Sequence, residues 1–567
     1  MRTRDWLPLL ATLAACGGGG GNGDPDAGPD LGGPRDPFPS FYCPGSPGCE
    51  GTGDGIFRVG AGKANITPDL DAAETEWTDT DGNNQWDSGE PFVDENANGV
   101  FDAVWMAGFG NGRPATGVHS DVWVRAIVFE WNDIRIGLAA VDAVGWMANE
   151  IDATRESLRT ELGLDHLIVQ ATHVHESKDT MGLWGRKELE TGIDLDYQQY
   201  IREQTVAALE LAVARLAPVN MAIAQTRTED ESGSTLEYVG DNRDPNVLDP
   251  TLTVVQFTDA ADPATTVATL VHWAAHPEYS GSRNNLITAD YPSQLRDVVE
   301  LGIAENTVRG LPALTGLGGE VIFLQGPLGG QIGPNGTAPI GEDGQPIPDD
   351  VIEAADAVGR NVGRLALEAI TGADVIDVTA PDLELRTGEL DLAVENTYYH
   401  VAAIVGVFDR EFHGYNENRP IDATNIPYIS SRVSYLRVGP LGIATAPGEL
   451  HPELYVGGYD GSMTDGRPIV DPNNENPPDL DQAPGPPYLR DLLLDNPGVD
   501  IPLLLGLGED MVGYLVPSWN YELDPNGPYI SEAPGDHYEE TNSVGPLVEE
   551  QAVGSMRTLL QWRPPAN

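Results

Sequence analysis

The sequence predicts a mixed-sheet α/β domain that becomes β-rich toward its C-terminal part. Three features lead there. From about residue 57 onward, apolar β-branched runs alternate with amphipathic runs of helical period. Hydrophobic residues make up 40% of the 567, enough for a large core and too many for a disordered chain. No repeat of solenoid length interrupts the alternation.

Taken in order, segments 122–131 and 134–141 are strongly apolar and read as adjacent strands. Segment 150–162 has helical pattern, and 166–172 (HLIVQAT) is a short buried strand. A long amphipathic helix covers 197–216, followed by strands at 220–226, 252–257 and 266–273. A helix at 291–303, a strand at 320–325 (EVIFLQ) and a long helix at 350–370 complete the alternation. Beyond about 376 the pattern turns β-rich, then Gly/Pro-rich between 456 and 500, and a helix is expected at 547–561. The pattern leaves open whether this last part is a second domain or completes the first.

The charge excludes partners. Lys and Arg number 31 against 89 Asp and Glu, a formal net charge of −58, and the only lysines are Lys63, Lys178 and Lys187. Nucleic-acid binding and a polybasic membrane patch both need basic surface that this chain lacks. Such acidity suits salty surroundings, calcium binding or solubility.

At the N-terminus, Arg2 and Arg4 precede an apolar stretch that ends at Cys16. The run Leu13-Ala14-Ala15-Cys16 resembles a bacterial lipobox, so residues 1–16 are expected to be a lipoprotein signal peptide with Cys16 lipidated. A Gly/Pro/Asp-rich tether at 17–56 follows, with a Cys43–Cys49 disulfide, and a catalytic body at 57–567. The expected setting is the bacterial cell envelope, with the membrane surface as a partner through the anchor. No other segment has the length and apolarity of a membrane span.

Residues 79–102 resemble paired calcium loops. Asp79, Asp81, Asn83, the carbonyl of Gln85, Asp87 and Glu90 fall at positions 1, 3, 5, 7, 9 and 12 of an EF-hand-type loop. Asn84 stands where glycine is usual, but asparagine also tolerates a left-handed turn. The second register offers Asp94, Asn96, Asn98, the carbonyl of Val100 and Asp102, with Trp105 where the bidentate carboxylate belongs. The expected role is structural, a cross-link within an acidic insertion.

The histidines carry the chemistry. There are ten, several at the ends of apolar strands, where active-site groups project. The 166–172 strand runs into His173-Val174-His175-Glu176, and in an extended chain residues i and i+2 share a face. The 266–273 strand runs into His276-Pro277-Glu278, and a third apolar strand breaks at Pro447-Gly448-Glu449. Two histidines and a glutamate from separate strand ends suit an open zinc site.

These residues resemble, in order, landmarks of the neutral/alkaline (non-lysosomal) ceramidases and their bacterial relatives, from Val59 to about Gln561. They include Val59-Gly-Ala-Gly-Lys-Ala-Asn65, Gly117-Val-His119, Ala171-Thr-His173-Val-His175 and His272-Trp-Ala-Ala-His276-Pro. Further along come Phe323-Leu-Gln325-Gly, Pro447-Gly-Glu449, the pair Tyr514/Tyr521 and Tyr538-Glu-Glu-Thr. The resemblance implies a zinc amidase acting on amide-linked lipids. Its zinc ligands would be His173, His276, Glu449 and Tyr514, with Tyr521 the alternative tyrosine and His175 beside the metal as acid/base. Arg125 or the backbone near Gly326 would face the oxyanion. The additional C-terminal immunoglobulin-like domain of ceramidases is not expected.

Two departures matter. The family's "Q-S-N" serine is Gly326 here and the acid later in that loop is Gly330, so zinc-activated water is the implied nucleophile. His175 is followed by Glu176 and Asp179, which suggests Glu176 or Asp179 as an alternative base or as a contact for a polar substrate, and leaves a zinc esterase or lactonase of non-lipid substrates open. A silent calcium- and lipid- or glycan-binding relative is the other alternative.

Overall fold

The computed structural model describes residues 43–45, 49–158, 160–332, 336–348, 350–416 and 418–563. Cys16 and most of the expected tether lie outside the described residues. Cys43 and Cys49 are disulfide-paired, and described residues at and after the pair are tied to the body: Leu385 N donates to Pro44 O, and Gly55 N donates to Asn132 Oδ1.

A nine-stranded mixed sheet forms the centre. Its path runs Glu320–Gln325, Thr266–Trp273, Thr251–Asp259, Ala217–Arg227, Arg58–Asn65, Trp123–Trp131, Ile134–Val141, His166–Ala171, with Ile376–Val378 added to Ala217–Arg227. Only the two outermost pairs are parallel. The sheet curls until its two edge strands meet, bridged by side chains: Gln170 Nε2 donates to Gln325 O, and Gln325 N donates to Gln170 Oε1. Both parallel edges therefore bring their C-terminal ends to one place, where loops that carry functional groups can converge.

Alternation in the strands explains the layers. In Trp123–Trp131, Val124, Ala126 and Val128 face one core while Ile127 and Phe129 face another. The first core is closed by the helix Leu195–Ala214, which starts because the Asp194 side chain accepts from Asp196 N and Tyr197 N. That helix lies directly on Arg58–Asn65, since a Cβ on Gly60 or Gly62 would strike the backbone of Ala212 or Ala208. Helices Tyr291–Leu301 and Ile352–Ile370 cover the remainder of this side.

The second core answers the open question about the C-terminal part. A four-stranded sheet, in the order Leu383–Ala393, Tyr428–Val438, Leu441–Thr445, Ile501–Leu505, stacks on the large one. Leu383, Leu436, Ile443 and Leu503 share one buried cluster with Phe129, Ile168 and Ile322. Helices Leu489–Leu494 and Gly554–Gln561 close its outer face. The chain is thus four layers, helices–sheet–sheet–helices, with the β-rich part completing the domain. The helix expected at 150–162 is shorter, Ala148–Ser157 followed by a single 3-10 turn, and the closing helix is introduced by a π-turn at Glu549–Val553.

Candidate metal centre

Four strand ends meet beyond the closing edge of the sheet. Past His166–Ala171 the backbone turns sharply: His173 has φ 68°, a left-handed conformation that costs a branched or bulky residue about 1–3 kcal/mol. Past Thr266–Trp273, His276 N donates to Gln331 O. Past Leu441–Thr445, the two-residue strand Glu449–Leu450 pairs in parallel with Tyr514–Leu515, in register Glu449 with Tyr514. Gln325 ties two of these ends together. Its Nε2 donates to Thr172 O and to Ala275 O, the residues just before His173 and His276, and its Oε1 accepts from Ala275 N.

The donor set is closely spaced. His173 Nε2 lies 3.1 Å from His175 Nε2 and 3.4 Å from Glu449 Oε2. His276 Nε2 lies 3.0 Å from Glu449 Oε2 and 3.4 Å from the Tyr514 hydroxyl. A tetrahedron with ligand bonds of ~2.0–2.2 Å has edges of about 3.3–3.6 Å, so the two 3.4 Å separations fit it and the shorter two would open a little around an ion. All five residues are buried.

Tautomers point the same way. His173 Nδ1 lies 2.6 Å from Val144 O, and His276 Nδ1 lies 3.1 Å from Gln331 O. A carbonyl only accepts, so each Nδ1 carries the proton and each Nε2 turns a lone pair inward. An outer carbonyl behind a ring is the usual support of a metal-binding histidine. Bare nitrogens facing a carboxylate, with no donor but one phenol, form a set that a cation completes, and the residues present therefore fit zinc.

Burial works to lower His173, but the Glu449 charge raises it. Burial works to raise Glu449, yet His173 and His276 hold its carboxyl well below the usual range; a cation at their centre would take over that attraction. Burial lowers His175 well below its ordinary value, reinforced by His173 and His276. Burial lifts the Tyr514 phenol, and the Glu449 charge adds to it. Burial pushes Glu278, behind His175, up to about 7 against the pull of His276 and His173.

Above the donors lies a cavity whose walls are mostly apolar, including Met147, Met181, Trp184, Phe408, Phe412 and Met511. His173, His175, Glu449 and Tyr514 form its polar end. Arg410 also reaches the wall, but Asp510 engages it from two sides.

Several expected residues lie elsewhere. Arg125 is buried in its strand, where Glu300 and Val321 O take up its guanidinium, so it does not line the cavity. Glu176 turns away from the cavity to form a fully buried pair with Arg113 at 2.9 Å, and accepts from Asn284. It cannot serve as the base proposed from its position. Asp179 spends its oxygens on the backbone N–H groups of Met181, Gly182 and Trp184. The polar surroundings that favoured a non-lipid ester are therefore absent from the cavity wall. Tyr521 bonds to Glu540 O and is not on that wall, while its alternative Tyr514 is. Gly326 is not a vacated serine position with room to spare, since a Cβ there would lie 2.8 Å from Ala274 Cβ. His272 donates into the core at Leu504 O, and His119 faces Asp356.

No protein-family model matches the chain, and no curated protein matches it in sequence. Solved structures do match. One is a neutral ceramidase from Pseudomonas aeruginosa, with a TM-score of 0.58 at 14% identity, covering 89% of this chain and 74% of that one. The chain has the neutral ceramidase fold. A ceramidase complexed with C2 matches over the same shares, with a TM-score of 0.56 and 14% identity. The mixed α/β expectation and the ceramidase resemblance thus hold at the level of the ceramidase fold.

The acidic insertion takes the same shape twice. Asp79 Oδ2 accepts from Asn84 N and Asn83 Oδ1 from Gln85 N; Asp94 Oδ2 accepts from Gly99 N and Asn98 Oδ1 from Val100 N. Both sixth positions are left-handed, Asn84 at φ 63° and Gly99 at φ 79°. In the first loop Glu90 accepts from Thr80 N and Asp87 N, the second and ninth positions. In the second loop Glu74 accepts from Glu95 N and Asp102 N, the same two positions. A residue upstream of the loop thus stands where Trp105 left a gap, which no pattern of spacing reveals. Trp86, Phe92, Phe101 and Trp105 pack between the two loops. Asn84 and Gly82 also bond to Arg283, next to Asn284 and Asn285, on the segment that runs on from Glu278.

Proposed function

We propose that the protein is a zinc-dependent hydrolase that cleaves the amide bond of N-acyl lipids. The observation that carries this is the convergence of His173, His276, Glu449 and Tyr514 from four strand ends, three of them (His173, Glu449 and Tyr514) at the polar end of an apolar cavity. Those four would hold the metal, which when bound supplies Lewis-acid activation of an acyl carbonyl and of water. His175, with Nε2 facing the same point, moves a proton from the attacking water to the leaving amine. Methionine and aromatic walls exclude water and take up an acyl chain, whose burial is worth ~0.8 kcal/mol per methylene. The ceramidase fold supports the choice of an amide-linked lipid.

Purified protein is expected to carry stoichiometric zinc and to release fatty acid from N-acylsphingosine faster than from a matched ester. Absence of zinc, or release from neither substrate, would sink the reading.

We also propose that both acidic loops bind calcium as a structural cross-link: Asp79, Asp81, Asn83, Gln85, Asp87 and Glu90 in one, and Asp94, Asn96, Asn98, Val100 and Asp102 with Glu74 in the other. The carboxylates of Asp79, Asp81 and Glu90 already lie within 4.8 Å of one another. Calcium at 100 times its dissociation constant would add ~2.7 kcal/mol for one site. Chelation is expected to lower the melting temperature, and Glu74→Gln to reduce calorimetric stoichiometry from two ions to one. An unchanged melt with chelator removes this proposal. Lipidation at Cys16 is tested by palmitate labelling of the wild type against Cys16→Ala.

A further inference from the structure

We infer that the tip formed by Ile404 and Val405 docks the protein on a zwitterionic lipid surface, so that an acyl chain passes from that surface along the rim into the cavity. This rests on the reading of the substrate as a lipid. The helix Thr397–Ile404 begins where the Asn396 side chain accepts from Tyr398 N and Tyr399 N, and it buries Tyr399, His400 and Ala402. Its other face carries no charge: from 396 to 408 there is no Asp, Glu, Lys or Arg, in a chain where such residues make up 21%. A helix that is apolar all round is ordinarily covered on every side, yet Ile404 is 76% and Val405 48% exposed. Gly406, left-handed at φ 80°, turns the chain back beyond them, and a Cβ on it would meet only open space.

The tip is mounted on the cavity rim. Val407 O accepts from Thr191 Oγ1, and Gly182 packs so close to Val407 O that it has no room for a side chain. Phe408 follows, edge-on to Tyr399 at 5.3 Å, and both line the cavity. Past Gly182, Leu183 and Trp184 line the same cavity. The exposed apolar surface thus runs on into the apolar wall. Two exposed side chains fall well short of the ~800 Å² per partner that a stable protein contact covers, whereas a lipid layer takes up apolar side chains without a matching surface. The charges beside the tip are mixed: Arg186 and Lys187 lie on the loop that holds Val407, and Asp409 and Glu411 just past Phe408. Zwitterionic headgroups offer both signs, while an anionic layer would repel a chain of net charge −58.

The test reads insertion directly and needs no turnover. Full-length protein carrying Cys16→Ser, so that no acyl anchor contributes, is labelled with an environment-sensitive fluorophore through Ile404→Cys; Cys43 and Cys49 are paired and take no label. A parallel sample is labelled through Leu301→Cys, a position as exposed but at the end of another helix. With phosphatidylcholine vesicles the label at 404 is expected to shift to the blue and to be quenched by brominated acyl chains, and the label at 301 to do neither. Quenching at 404 should fall when phosphatidylglycerol replaces half of the lipid, and a rise overturns the choice of a zwitterionic surface. No quenching at 404, or equal quenching at 301, overturns the inference, as does a dimer in sedimentation without lipid that Ile404→Asp abolishes, which would give the tip to a second copy. Where turnover is found, Ile404→Asp with Val405→Asp should lower it about 10–100-fold on vesicle-embedded substrate and leave it unchanged on detergent-dispersed substrate. Absence of turnover on both forms overturns only the proposed function, since the label still reports docking.

Discussion

Glu449→Gln is expected to purify without stoichiometric zinc and to lose hydrolytic activity by more than ~100-fold, beyond the 10–100-fold that follows loss of an outer partner of a metal ligand. The substitution keeps the volume and removes one charge. Glu449 Oε2 sits 3.0 Å from His276 Nε2 and 3.4 Å from His173 Nε2, so it is the anion shared by both rings. A divalent ion there without it would meet only neutral ligands in a buried pocket, where uncompensated charge is costly. Metal analysis of both proteins side by side reads the effect. Zinc at wild-type stoichiometry in the variant would remove Glu449 from the centre.

Gln325→Leu should lower both stability and metal affinity, although residue 325 touches no metal donor. One amide serves Thr172 O, Ala275 O and Ala275 N. Leucine fills the space but leaves those buried groups without partners, at about 1–3 kcal/mol for each. The same amide sets the spacing of the two strand ends that precede His173 and His276. A denaturation midpoint and a zinc competition titration against a chromogenic chelator measure the two effects separately. A drop in stability with zinc affinity intact would reduce Gln325 to a core residue.

Much of the fold was legible because its signals are local. The apolar runs that became Trp123–Trp131, Ile134–Val141 and Glu320–Gln325 carry their own alternation or length. His173, His175, His276 and Glu449 could be picked out as residues at breaks in apolar strands. What the sequence hid was side-chain direction and long-range pairing. The left-handed turn at His173 ends the alternation just where it was needed, so Glu176 swings to Arg113 rather than into the cavity. Arg125 sits in mid-strand, and its partner Glu300 lies 175 residues away. Glu74 completes a loop 28 residues downstream, and Gln325 bridges back 153 residues. The strands Leu383–Ala393 and Tyr428–Val438 read only as β-rich because their facing core is supplied by the first half of the chain.

The spacing of the four strand ends has a consequence in time. Glu449 comes 173 residues after His276, and Tyr514 comes 238 after it. Closing loops of that length is entropically unfavourable and slow, so these contacts belong to the last stages of assembly. A nascent or clipped chain that ends before Glu449 holds the three histidines without the carboxylate, and one that ends before Tyr514 lacks the phenol, so neither presents the full donor set. Metal uptake should therefore report completed folding, rising only when the final strand pair Glu449–Leu450 and Tyr514–Leu515 has zipped shut.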